Sequence, residues 1–262
     1  MSANAKQSRD AVARRNVIVP QMRDYDELGM NQEWVPHLMY FHPRSASKKS
    51  VSTDQFGARN SVGTKPNAPT ALLVGGSSVF GIGATSDSKT IPSLLNTSTK
   101  YNWRNLGGRA FNSTQEAILL HLSNTKKIDG PIVVMSGANN LTRSLMSGSF
   151  SPMYGAFFHQ GLFEQQMKSA AVGNRALTRQ LVAGLREKFG IGKNPTAQTA
   201  SHTSGNRAES YKAMLAVFER DCEYINMLAK HNSTSASFVL QPFAPWINKS
   251  LTSQEVELFE LL

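Results

Sequence analysis

A serine placed just after a buried strand and among glycines is well set to act as a nucleophile. The run Ala71-Leu72-Leu73-Val74-Gly75-Gly76-Ser77-Ser78-Val79-Phe80-Gly81-Ile82-Gly83 has that form. The strand fixes where the serine sits, and the glycines let the backbone approach a ligand closely. Other uses of such a turn fail on spacing. A phosphate-cradling P-loop needs a lysine and a hydroxyl where Ile82 and Gly83 stand. The dinucleotide fingerprint lacks its third glycine, because Ser86 occupies that position, and the G-x-S-x-G elbow fails at Val79.

What remains is Gly-Gly-Ser with further glycines four and six residues after Ser77. This resembles the first conserved block of the SGNH (GDSL-like) hydrolases in its Gly-Gly-Ser form. Two later segments match in order. Asn105-Leu106-Gly107-Gly108-Arg109-Ala110-Phe111 looks like the second block, and Ser136-Gly137-Ala138-Asn139-Asn140 looks like the Gly-x-Asn-Asp block. Upstream, Thr53-Asp54-Gln55-Phe56-Gly57-Ala58-Arg59 is similar to a lead-in that often precedes the Gly-Gly-Ser form.

The resemblance implies a serine esterase or O-acyltransferase acting on acyl esters, those of a carbohydrate among them. Ser77, chosen over Ser78 by the alignment and the glycine spacing, would attack the carbonyl. The Ser77 and Ala110 backbone N–H groups and the Asn139 side-chain amide would hold the oxyanion. Two positions depart from the family pattern: Ala110 stands where it usually has glycine, and Asn140 where it has aspartate. A third departure is larger. The family activates its serine with a histidine preceded three residues earlier by aspartate, and no Asp-x-x-His occurs in the sequence. The expectation is a chain truncated before that block, with the last strand and helix missing. The alternative is a non-catalytic binding protein of the same fold or an inactive fragment.

No spacing singles out one of His37, His42, His121, His159, His202 and His231 as a substitute base, although His37 and His42 lead into the first strand. The single Cys222 excludes an intrachain disulfide and falls on an apolar stripe of Tyr211, Leu215, Phe218, Cys222 and Ile225, which predicts a packed thiol. No Cys or His spacing suits a metal, and no cofactor is expected.

These residues need elements to position them. Apolar runs at 70–75, 101–106, 131–136 and 237–241 predict strands, the first and third buried on both faces. Between them, Ser113-Thr114-Gln115-Glu116 reads as a capping box, residues 206–230 as a long amphipathic helix, and Ser253–Phe259 as a further helix. Strand and helix in alternation predict an α/β fold, a three-layer α/β/α flavodoxin-like parallel sheet. Ligands of such sheets bind at the carboxyl ends of the strands, where Ser77, Ala110 and Asn139 all fall.

Residues 1–68 are polar and proline-punctuated and predict an extended N-terminal arm, with the α/β domain over 69–262. Residues 141–205 form an insertion with a basic amphipathic helix around 174–189 and a Ser/Thr/Asn-rich loop, a candidate lid or acceptor-binding element. The 262 residues carry a formal net charge of +10, with ten basic and four acidic side chains in 141–220. That excess could face an anionic ligand, while no motif accompanies it that would read a nucleic acid. No run approaches a membrane span, and the polar residues 1–10 lack the apolar core of a signal peptide, so a cytoplasmic location is the expectation.

Overall fold

The computed structural model describes residues 3–123, 128–147, 151–169, 207–242 and 248–259. Helices α1 (Ala3–Ile18) and α2 (Met22–Met30) come first, followed by β1 (Thr70–Gly75), the short α3 (Ser77–Phe80), α4 (Ile91–Ser98) and β2 (Asn102–Gly107). Then come α5 (Ser113–Ser123), β3 (Ile132–Ser136), α6 (Ala138–Ser147), a helical stretch α7 over 160–169, α8 (Arg207–His231), β4 (Ala236–Leu240) and α9 (Ser253–Phe259).

The four strands pair in the order β2-β1-β3-β4, all parallel, with Leu72 beside Arg104 on one side and Ile132 on the other. Alternation along each strand divides the core in two. Leu72, Val74, Leu106, Ile132 and Val134 pack with Ala117 and Leu120 of α5 and Ile225 and Ala229 of α8. Ala71, Leu73 and Trp103 face the other way, against Val79 of α3 and Ile91 and Leu95 of α4. The fold is therefore α/β with helices on both faces of a parallel sheet, as the alternating pattern predicts. β1 is buried on both faces, while Val133 and Met135 of β3 are half-buried. β4 pairs only with β3 among the described residues, and Phe238, Val239 and Leu240 lie exposed.

Three local readings change. First, the cap of α5 sits one residue earlier than the sequence suggests. The Gln115 N–H donates to Asn112 Oδ1 at 2.9 Å and the Asn112 N–H to Gln115 Oε1 at 3.3 Å, so Asn112 and Gln115 form the reciprocal box. The Ser113 hydroxyl is instead committed to Asp221.

Second, the buried stripe of α8 is Met214, Val217, Asp221, Ile225 and Ala229, while Leu215 is 53% exposed and Cys222 only half-buried. The cause is Asp221. Its Oδ2 accepts from both the Ser113 and Thr114 hydroxyls at 2.7 Å, which turns α8 to bring a carboxylate inward.

Third, the N-terminal segment contains two helices where the sequence predicts extended chain. Tyr25, Leu28, Val51 and Phe80 form a cluster of their own, and Leu38, Tyr40 and Phe41 join the main core beside Phe111. A three-residue spacing over one short helix is too brief a signal to register against Pro20 and the surrounding polar residues. Of the insertion, the basic helix around 174–189 and the loop to residue 205 lie outside the described residues.

Candidate active site

The chain leaves β1 at Gly75, passes through the buried Gly76 and begins α3 at Ser77. As the first residue of that helix, Ser77 has no helical acceptor for its N–H. Its carbonyl accepts from the Gly81 and Ile82 N–H groups at 2.9 and 3.0 Å, closing the turn. Among the described residues neither the Ser77 N–H nor its hydroxyl has a hydrogen-bond partner. The turn is packed too tightly for side chains at its edge: a Cβ on Gly107 would stand 2.0 Å from the Phe80 nitrogen. Asn105 fastens it from below, donating from Nδ2 to the Val79 carbonyl at 2.9 Å.

Arg59, the last residue of the lead-in, holds the far end of the same turn. Its side chain is fully buried, pairs with Asp87 at 2.9 Å, and donates to the Phe80, Gly81 and Ser50 carbonyls and the Tyr25 hydroxyl. Each of its three nitrogens donates inside the protein, so Arg59 is a brace.

The turn after β2 is pinned peptide by peptide. The Gly108 N–H donates to the Gly75 carbonyl at 2.8 Å, the Arg109 N–H to His42 Nε2 at 3.1 Å, and the Phe111 N–H to the Gly108 carbonyl at 3.2 Å. The Ala110 N–H alone in this turn takes no acceptor from among the described residues. Ala110 itself is left-handed, at φ +60°, with its carbonyl receiving the Tyr40 hydroxyl at 3.2 Å. A glycine would hold this conformation without strain.

Asn139, just inside α6 after β3, stands between these two turns. Its Nδ2 donates to the Phe111 carbonyl at 2.7 Å, and a Cβ on Gly76 would come within 2.8 Å of the same nitrogen. One of its two amide hydrogens is engaged and the other is left over. Ser77, Ala110 and Asn139 thus follow the ends of three adjacent parallel strands on one rim, with two unengaged backbone N–H groups and a side-chain amide around them.

Asn140 does not join this group. It receives the Ser113 N–H at 3.0 Å and donates to the Ser113 hydroxyl at 2.8 Å, tying α6 to the start of α5. The sequence reading missed Gln241. This residue follows β4, donates its N–H to the Ser136 carbonyl at 2.9 Å, and holds Oε1 3.8 Å from where a Gly76 Cβ would be. The signal available for it was its place at the end of the fourth strand, on the same rim.

The histidines divide by their surroundings. His42 is buried, lies against Phe80 with ring centroids 3.8 Å apart and planes tilted by 31°, and carries its proton on Nδ1, which donates to the Gly57 carbonyl at 3.1 Å while Nε2 accepts from Arg109. Burial holds its pKa down to about 3 against the pull of the Gly57 carbonyl, and the Arg109 and Arg59 charges act with burial. With both nitrogens occupied, it is not a base for Ser77. His121 pairs with the Tyr224 hydroxyl on the helical layer, and His231 closes α8. His159 belongs to the described part of the insertion, where its ring lies 5.2 Å from that of Tyr40. Burial, then the Arg109 and Arg143 charges, lower its pKa. Asn112 Nδ2 donates to the Ala156 carbonyl at 3.1 Å, so the insertion is anchored beside the Ala110 turn. His202 lies outside the described residues.

Among the described residues no three His, Cys, Asp or Glu side chains gather as a metal site, and no helix is long and apolar enough to cross a membrane. Neither a family model nor a curated protein matches the chain.

Proposed function

We propose that the chain is a serine esterase or O-acyltransferase of the SGNH type, with Ser77 as nucleophile. The observation that supports this most is the pair of unengaged backbone N–H groups, at Ser77 and Ala110, with the spare Asn139 amide hydrogen beside them. Every neighbouring N–H of the Ala110 turn has an acceptor, which leaves the Ala110 N–H available as a donor to an oxyanion.

In this reaction the Ser77 Oγ bonds to the ester carbonyl carbon, and the carbonyl electron pair moves onto oxygen. The Ser77 and Ala110 N–H groups and Asn139 receive that charge. The proton lost from the Ser77 hydroxyl passes to solvent water; collapse then breaks the bond to the leaving oxygen, which takes a proton back from water and departs as the alcohol, leaving an acyl-serine. Water then regenerates the serine in a hydrolase, and the hydroxyl of an acceptor does so in a transferase. Each donor contributes roughly 3–4 kcal/mol to the transition state. Gln241 Oε1, on the β4 side, is placed to contact the substrate's polar groups. The substrate class we favour is an acyl ester of a carbohydrate or a similar small alcohol.

A second reading, an ester-binding protein without turnover, is favoured by one observation: His42 is committed on both nitrogens and the Ser77 hydroxyl has no partner. Hydrolysis of a chromogenic acetyl ester by the full chain and by Ser77→Ala separates the two. Loss of the rate in Ser77→Ala supports catalysis. A rate equal in both removes Ser77 from the mechanism, and saturable ester binding without any turnover selects the second reading.

A further inference from the structure

We propose that His42 is a positioning residue for the Ala110 donor, and that it acts only as the neutral imidazole protonated on Nδ1. The inference rests on the reading of Ala110 as an oxyanion donor. His42 lies in the N-terminal segment, far in sequence from the nucleophile and outside every motif the sequence offers, yet it bonds the peptide next to that donor.

The geometry leaves the imidazole one role. Among the described residues, the Arg109 N–H is the one backbone donor of this turn held by a side chain from outside it, and its acceptor is His42 Nε2. The following N–H, that of Ala110, is the free one. The direction of the Ala110 N–H follows from how residue 109 is held, because adjacent peptide planes share a Cα. An acceptor is required at Nε2. A proton there would set N–H against N–H and release the turn.

Three features keep that proton away. The Gly57 carbonyl binds the Nδ1 proton and so selects the tautomer. The ring is enclosed between Phe41 and Phe80. The Arg59 and Arg109 guanidinium groups nearby oppose a second charge. Gly57 and Arg59 both belong to the lead-in, which therefore reaches both turns: the Ser77 turn through Arg59 and the Ala110 turn through Gly57 and His42. A glycine is required in that loop, since position 57 has φ +89° and a Cβ there would stand 2.4 Å from the His42 carbonyl oxygen.

The test compares the full chain with His42→Phe, which keeps the stacked ring and removes the acceptor, and with His42→Gln, whose Oε1 can replace it. Amide hydrogen exchange is read at Arg109 and Ala110 relative to β1, beside ester hydrolysis. In His42→Phe the Arg109 amide, which loses its acceptor, exchanges at least about tenfold faster than β1 accounts for, while the Ala110 amide, unbonded in both, changes less, and kcat falls about 100-fold with KM little changed, the scale of one lost oxyanion donor. His42→Gln recovers most of both. Unchanged relative exchange in His42→Phe overturns the proposal, as does a kcat loss no larger than the loss of folded protein. Ser77→Ala keeps the two claims apart. If it hydrolyses as fast as the parent chain, the esterase reading fails, and the exchange at Arg109 and Ala110 still decides whether His42 fixes the turn.

Discussion

Tyr40 and Ala110 are joined by a hydrogen bond of 3.2 Å from the phenol to the carbonyl of a residue at φ +60°. A side chain from the N-terminal segment thus clamps a backbone conformation that alanine adopts at a cost of about 1–2 kcal/mol. Tyr40 is enclosed there by the rings of Phe111, His159 and Phe163.

Replacing Ala110 with glycine removes the strain and leaves the N–H in place. The expected outcome is a gain of up to about 1 kcal/mol, part of the relief being offset by the freedom glycine adds to the unfolded chain. Urea unfolding measures it, and a loss of stability would contradict a strained alanine. Tyr40→Phe, which strips one hydrogen bond from the Ala110 carbonyl, is expected to cost about 1 kcal/mol.

Arg59→Met leaves Asp87 without its cation and frees the Phe80, Gly81 and Ser50 carbonyls. Breaking a buried pair from one side costs about 3–5 kcal/mol, and Arg59→Lys is expected to recover little because an ammonium cannot reach the same fork of acceptors. Denaturant midpoints of the two variants check this, with near-parental stability in Arg59→Lys as the contrary result.

Glu116 and His42 tilt the pH dependence of stability in opposite directions. Burial pushes the Glu116 carboxyl from 4.5 up to about 8 against the Ser136 hydroxyl, with Asp221 adding to the rise. The folded chain keeps a proton that the unfolded chain releases, so stability falls as pH rises from about 4.5 to about 8. His42 refuses a proton that the unfolded chain accepts below 6.5, so its contribution is present above 6.5 and lost as pH falls toward about 3. Glu116→Gln is expected to gain on the parent chain steadily across the first interval, and His42→Phe to flatten the acid limb. Parallel pH profiles for parent and variants would refute the assignment.

Cys222 should react slowly. Burial first, then the Asp221, Glu116 and Glu219 charges, raise its thiol to about 11. Alkylation by iodoacetamide at neutral pH is expected to be far below that of a small free thiol and to climb roughly tenfold per pH unit toward that value. A fast reaction at neutral pH would show an activated thiol instead.

The four strands and the rim were legible because near-continuous apolar runs ending in glycine or asparagine leave few other arrangements. β1 falls at the predicted residues, and the other strands within one residue of the expectation. The facing of α8 was not legible. A hydrophobic stripe through Leu215 and Cys222 is the better apolar pattern, and two hydrogen bonds from α5, fixed by tertiary contact, turn Asp221 inward. The same holds for His42, whose partners Gly57 and Arg109 share no sequence spacing with it. Gln241 was hidden differently, as the first residue past a strand in a motif that attracted no chemical reading.

The N-terminal segment is synthesised before the sheet, yet its bonds to the two turns wait for residues that come later. Arg59 finds Asp87 28 residues later, and His42 finds Arg109 67 residues later. Until Asp87 has been made the Arg59 guanidinium lacks its carboxylate, and until the turn after β2 has been made His42 Nε2 lacks its donor, and burying either group incompletely paired is unfavourable. Residues 20–60 are therefore expected to wait in an open state while the sheet is made, and to close over it in a late, long-range step. The segment acts as a lock set after assembly, so a chain begun at β1 would build the strands but leave the Ser77 and Ala110 turns unfastened.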